Sequence, residues 1–343
     1  MLMRPREGDF IESIEGLIFD VKGLVHPPDR VIAFIRYFPD EKGSRKRQGT
    51  NYSKVYSLSE RFQLLSEKFP EYIVYDSTFD AKLCEVPIRK VKHQYRPAEK
   101  LEELRGNLQY LDELERKASE FADIMETSAN IPSEKVGVSG SIMVGLHNWK
   151  SDIDLIVYGV KNCRKVYSTM GNLLGEKQGP FKAYTHRDLR TLFDFRLKDT
   201  MMSYEDFVRA ESRKVLQGKF MQTEYFIRFV KDWSEIGEKY GDVRYVNVGY
   251  ARVEATVVDD SESIFTPCVY KISDARVLEG PQTKPLKEIA SFRGRFCEQA
   301  RKGEVVIAQG KVEHVIDNRQ NREYFRLLLG NKPSDYFVTV PKP

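Results

Sequence analysis

The stretch from Val136 to Tyr158, VGVSGSIMVGLHNWKSDIDLIVY, constrains the fold more than any other part of the chain. Val136 and Val138, followed by Ser-Gly-Ser, read as a buried strand broken by a tight turn, and Ile142 to Leu146 as the first turns of a helix. Ten residues separate Ser141 from Asp152, enough for a short helix and a turn, so the strand entering Asp152-Ile153-Asp154 lies beside the first. Side chains alternate along a strand, which puts Asp152 and Asp154 on one face and Ile153 and Leu155 on the other. Gly140 lets the backbone come close to a ligand, free N–H groups at a helix start favour an anion, and Ser141 adds a hydroxyl. Two carboxylates converging beside a phosphate-sized turn make half of a magnesium site, a triphosphate supplying the remaining ligands.

Gly-Ser, ten residues, then Asp-hydrophobic-Asp, carried here by Gly140, Ser141, Asp152 and Asp154, resembles the signature of the nucleotidyltransferases of the DNA polymerase beta superfamily. The resemblance covers residues 135 to 160, and more loosely the segment to about 230. It implies a nucleoside triphosphate substrate and a two-metal site holding Mg2+ or Mn2+. It also implies a helix ahead of the Gly-Ser strand and a third carboxylate on a strand after an intervening helical segment. Glu224, near the start of the apolar run Thr223–Val230, takes that place, with Asp194 and Glu254 as alternatives; the family often has Asp there. The competing reading is an edge strand with two solvated aspartates after a Gly-Ser turn.

A chain of 343 residues with 31% charged and 12% aromatic residues is globular and long enough for two or three domains. We expect an α+β protein in three consecutive parts: an N-terminal β-rich α+β domain to about residue 96, a nucleotidyltransferase core of mixed sheet and helices over 97–240, and a β-rich domain over 241–343. The strand count of the last fits a small closed barrel of the oligonucleotide-binding kind, with a short helix over Pro285–Phe296. Leu101 to Ile124 repeats at helical period and predicts one long amphipathic helix packed on the core sheet. Net charge is only +4, so a basic surface must be local. Four widely spaced cysteines and five scattered histidines argue against zinc or a disulfide framework, and His26 beside Pro27-Pro28 reads as structural. With no apolar signal core after Met1 and no membrane-length run, a cytoplasmic location away from membranes is expected.

Three sets of cations compete for a role in binding. Lys42, Arg45, Lys46 and Arg47 lie in a loop ahead of Tyr52 and Tyr56, either solvated or holding a nucleic-acid backbone. Arg213 shares a helix face with Arg209, and with Lys214 it either complements the helix dipole or meets the triphosphate. The C-terminal part is richest in arginine and offers a nucleic-acid surface or a solvated rim. The expected reaction is metal-dependent transfer of a nucleoside monophosphate, by Asp152, Asp154 and Glu224, to a DNA or RNA 3′ hydroxyl. A protein or small-molecule hydroxyl is the second reading, and a non-catalytic nucleic-acid-binding protein is the third.

Overall fold

The computed structural model describes residues 3–197 and 201–341. It is mixed α+β, with three sheets and seven α-helices among the described residues. The first sheet holds β1 (Phe10–Ser13), β2 (Ile18–Val21), β3 (Arg30–Pro39), β4 (Arg45–Arg47) and β5 (Thr50–Lys54). After α1 (Leu58–Lys68) come β6 (Ile73–Asp76), β7 (Ala81–Pro87) and β8 (Val91–Tyr95). The second sheet follows α2 (Pro97–Gly106) and α3 (Glu113–Ala129), and contains β9 (Val136–Val138) and, after α4 (Gly140–Met143), β10 (Ile153–Tyr158). Then come α5 (Val160–Gly175), β11 (Phe181–Lys182), α6 (His186–Arg196), α7 (Tyr204–Glu211), β12 (Gln217–Phe220) and β13 (Thr223–Val230). The third sheet is β14 (Val243–Glu262), β15 (Cys268–Glu279), β16 (Leu286–Ser291), β17 (Val305–Asp317), β18 (Arg322–Leu329) and β19 (Tyr336–Thr339).

Two compact units result, and they do not follow the three consecutive parts expected. The first comprises residues 1–74, 83–183 and 215–237, the second 75–82, 184–214 and 238–343. The N-terminal sheet shares a unit with the second sheet because both of its faces are buried. One face packs Ile11, Phe19, Val21, Val31 and Ile35 with Leu65 of α1. The other packs Phe10, Ile18, Tyr37 and Tyr52 onto Met143, Val144 and Leu146, the segment after the Gly-Ser turn. A sheet with two apolar faces has to be covered twice, and the second cover is the core itself.

In the second sheet the order is β11-β12-β13-β10-β9, with β10 antiparallel to β9 and parallel to β13. The single long helix expected over Leu101–Ile124 is instead two. α2 ends at Gly106, and Asp112 starts α3 with a capping box, its side chain accepting from Glu115 N and Glu115 answering to Asp112 N. Both halves pack on the core. A Cβ on Gly137 would lie 2.4 Å from the Pro97 carbonyl carbon, so glycine is what lets α2 start against β9. Phe121 of α3 meets Phe181, Phe220 and Tyr225 of the sheet at ring separations of 5.0 to 5.1 Å.

The second unit contains the barrel. Its strands run β14-β15-β16-β18-β17, and β17 returns to pair with β14, so five strands close a circuit, with β19 added outside on β17. All contacts in the circuit are antiparallel except β16 with β18. Alternation makes the core: Ala251, Val253, Ala255 and Val257 are buried while the residues between them are not. Residues 286–291, expected in a helix, form β16, and only Gly294–Phe296 is helical, as a single 3-10 turn.

Candidate active site

The strand pairing places the carboxylates. Ile153, Leu155 and Val157 of β10 stand beside Tyr225, Ile227 and Phe229 of β13 and are buried with them. The opposite face pairs Asp154 with Phe226 and Ile156 with Arg228, and one step earlier brings Asp152, just ahead of β10, beside Glu224. By register Glu224 is on the face of the aspartate pair, and it is exposed. β9 delivers the turn on the other side. Ser139 N donates to Asp154 O at 2.8 Å, its hydroxyl donates to Gly8 O at 2.7 Å, and Gly140 follows at φ +63°. A Cβ at Gly140 would sit 1.9 Å from Asp154 Oδ2, so the turn lies directly against that carboxylate. Ser141 is 4% exposed and its hydroxyl is buried without a hydrogen-bond partner.

Burial, and then the charge of Asp152, push the Asp154 carboxyl up to about 7, while Arg228, Lys54 and Arg36 pull it the other way. Lys54 mirrors this: burial, with Arg36 adding to it, pulls its ammonium down to about 8 against the two aspartates. Tyr37, paired with Lys54 across β3 and β5, is likewise pushed up to about 12, chiefly by burial. A carboxylate and an ammonium bonded to one another would each be held in the charged form. Here both are driven toward neutrality, and among the described residues neither Lys54 nor Arg36 has a nitrogen within 4.0 Å of a carboxylate oxygen. The neighbouring acids are paired with cations: Glu7 and Asp20 take Lys22 at 3.2 and 2.8 Å, and Arg228 bonds Glu7 and lies 3.7 Å from Asp20 Oδ1, which is buried without a hydrogen bond among the described residues. Arg36 and Lys54 carry no sequence mark as site residues, because they act on the carboxylates from a different sheet.

The remaining candidates are placed elsewhere. Arg213 bonds Glu304 at 2.5 and 2.8 Å and the Gln299 carbonyl, and buried Lys214 bonds Glu211 at 2.6 Å and the Arg295 carbonyl, all inside the second unit. Their charges are used to hold that unit together. Asp194 lies on α6, 3.3 Å from Arg190, and Glu254 on β14, 3.0 Å from Arg276, both also in the second unit. The basic loop is a strand pair: Arg45 donates to Leu146 O and Ser151 Oγ, and Arg47 to Glu12, Tyr95 and Val144 O, which brace the segment leading into Asp152. Among the C-terminal arginines, Arg326 bonds Glu313 and Arg322 bonds Asp317. His26 is structural, its Nδ1 accepting from Ile32 N and its Nε2 bonded to Pro5 O.

The donor set of the face, acidic oxygens and one hydroxyl, suits a hard divalent cation. Among the described residues, one trio of possible ligands lies within 4.8 Å: Asp112, Glu115 and His147. Its geometry follows from the α3 capping box and the 2.7 Å contact of His147 Nε2 with Asp112. Among the described residues, Asp152, Asp154 and Glu224 are not drawn together to that spacing.

Compared with known proteins, the chain is 34% identical over 336 residues to a protein of Methanocaldococcus jannaschii, "Uncharacterized protein MJ1086", covering 96% of each. No family profile and no solved structure matches it. Among the described residues, no helix is long and apolar enough to cross a membrane.

Proposed function

The chain belongs to the same family as the Methanocaldococcus jannaschii protein, and we propose that it is a metal-dependent nucleotidyltransferase with a polymerase-beta-like core. The reading rests on one observation above all. A glycine whose Cβ would strike Asp154 Oδ2 at 1.9 Å brings a turn with a buried, unpartnered serine hydroxyl against a carboxylate that shares its face with Asp152 and Glu224. Structural surface aspartates need no such approach.

Asp152, Asp154 and Glu224 would hold Mg2+ or Mn2+, which when bound supplies charge neutralisation at the triphosphate and lowers the pKa of the acceptor hydroxyl. Gly140 leaves the space in which phosphate oxygens can approach the turn, and Ser141 offers them a donor. The acceptor hydroxyl gives up its proton to solvent, its oxygen bonds to the α-phosphorus as the bond from that phosphorus to the β-phosphate oxygen breaks, and pyrophosphate departs; no side chain is a nucleophile. We assign the acceptor as a nucleic-acid 3′ hydroxyl, supported by the closed five-stranded barrel, an architecture that hosts oligonucleotide binding. Calorimetry tests the site: nucleoside triphosphate binding that strengthens at least tenfold with Mg2+ supports it. Binding of nucleic acid with no metal-dependent triphosphate binding would instead identify a non-catalytic binding protein.

A further inference from the structure

We propose that Arg36 and Lys54, delivered by the N-terminal sheet, form the anion clamp that receives the triphosphate; this rests on the nucleotidyltransferase reading. Their placement is written into strand register. Ile18 of β2 pairs with Tyr37 but Phe19 with Ile35, so Arg36 is the extra residue of a β-bulge. A bulge bends its strand and re-aims the side chain it adds. From that position Arg36 acts electrostatically on Asp154, Asp20 and Lys54 alike. Lys54 ends β5 opposite Tyr37 and reaches the same face.

What distinguishes these two cations is that they are half-buried and have no carboxylate partner among the described residues. The Lys54 nitrogen lies 5.1 Å from the centre of the Tyr56 ring. Lys22, Arg45, Arg47 and Arg228 all come from the same surroundings, and each is committed to an acid, a carbonyl or a hydroxyl of the protein. Partly burying a charge without a partner is unfavourable, and a fold that only needed stability would have closed Lys54 or Arg36 onto Asp152 or Asp154. They are instead held apart, cations on one sheet and carboxylates on the other. An anion bearing several charges fits between, its oxygens on Arg36 and Lys54 and its metal on the aspartates. A polyphosphate has that chemistry, and arginine suits it by its forked donors.

The test compares the full-length protein with its Arg36→Gln and Lys54→Met variants and a conservative Lys54→Arg. Inorganic tripolyphosphate and ATP, each with Mg2+, are the calorimetric probes, and ATP turnover onto an oligonucleotide is followed in parallel. We expect at least tenfold weaker binding of both probes in each of the first two variants and near-normal binding in Lys54→Arg. Melting temperature should be unchanged or raised, because no internal ion pair is lost. A lowered melting temperature with probe affinity within twofold of the parent would show that both cations are structural and overturn the clamp. Normal turnover with an unchanged KM for ATP in both variants would also overturn it while leaving the reaction intact. Clamp-dependent tripolyphosphate binding without any turnover would uphold the clamp and sink the reaction.

Discussion

Gly140 is where one atom decides the most. Alanine there meets the left-handed backbone at φ +63° and the Asp154 carboxylate together. We predict that Gly140→Ala destabilises the fold by about 1–3 kcal/mol and abolishes metal-dependent triphosphate binding, read by chemical denaturation and calorimetry. A variant that binds normally would show that the turn is not part of the site. His26 makes a prediction about pH. Burial lowers it from 6.5 to about 4, against the bond to Pro5 O that raises it. Its neutral form is the one the fold uses, so its contribution is intact above 6.5 and is lost as pH falls through 4. The loss is on the order of 3 kcal/mol, and His26→Gln should flatten the stability profile over that window. An identical slope in the variant would place the acid sensitivity elsewhere.

At the scale of elements, the strand β4 shows how a charge run is sorted by alternation. Arg45 and Arg47 turn inward to the 144–151 segment and Glu12, while Lys46 is exposed. Burial works against the Glu12 charge, but bonds from Tyr95, Lys92 and Arg47 hold its carboxyl at about 2. Arg47→Ala should therefore cost about 3 kcal/mol, whereas Lys46→Ala should stay within about 0.5 kcal/mol. Urea midpoints check both, and equal midpoints would mean that β4 does not brace the core. Local pattern made several elements legible: the Val136 strand and the strand from Thr223 to Val230. It misled where a signal was non-local. The apolar period of 101–124 runs across the break at Gly106 and Asn107, and 286–291 pairs into a barrel that only distant strands complete. Bulge and register, which aim Arg36, have no sequence mark of their own.

For the whole molecule, the aspartate face and its turn were readable from a single stretch, but the cations opposite it depend on which sheets share a unit. The unit boundaries were not readable either, because the second unit gathers the hairpin tip 75–82 and the helices of 184–214 around the barrel. Phe79 stacks on Tyr245 at 5.4 Å and Asp80 accepts from Asn247 N. A fragment of residues 241–343 should therefore lack a cooperative melt, and one that melts like the intact protein would show that the barrel stands alone. The central claim is tested most directly by release of pyrophosphate and incorporation of labelled nucleotide with Mg2+. The parent protein should turn over only with the divalent ion, and a folded Asp152→Ala, Asp154→Ala double variant should fall by at least about a hundredfold. Undiminished metal-dependent turnover by that double variant would contradict it.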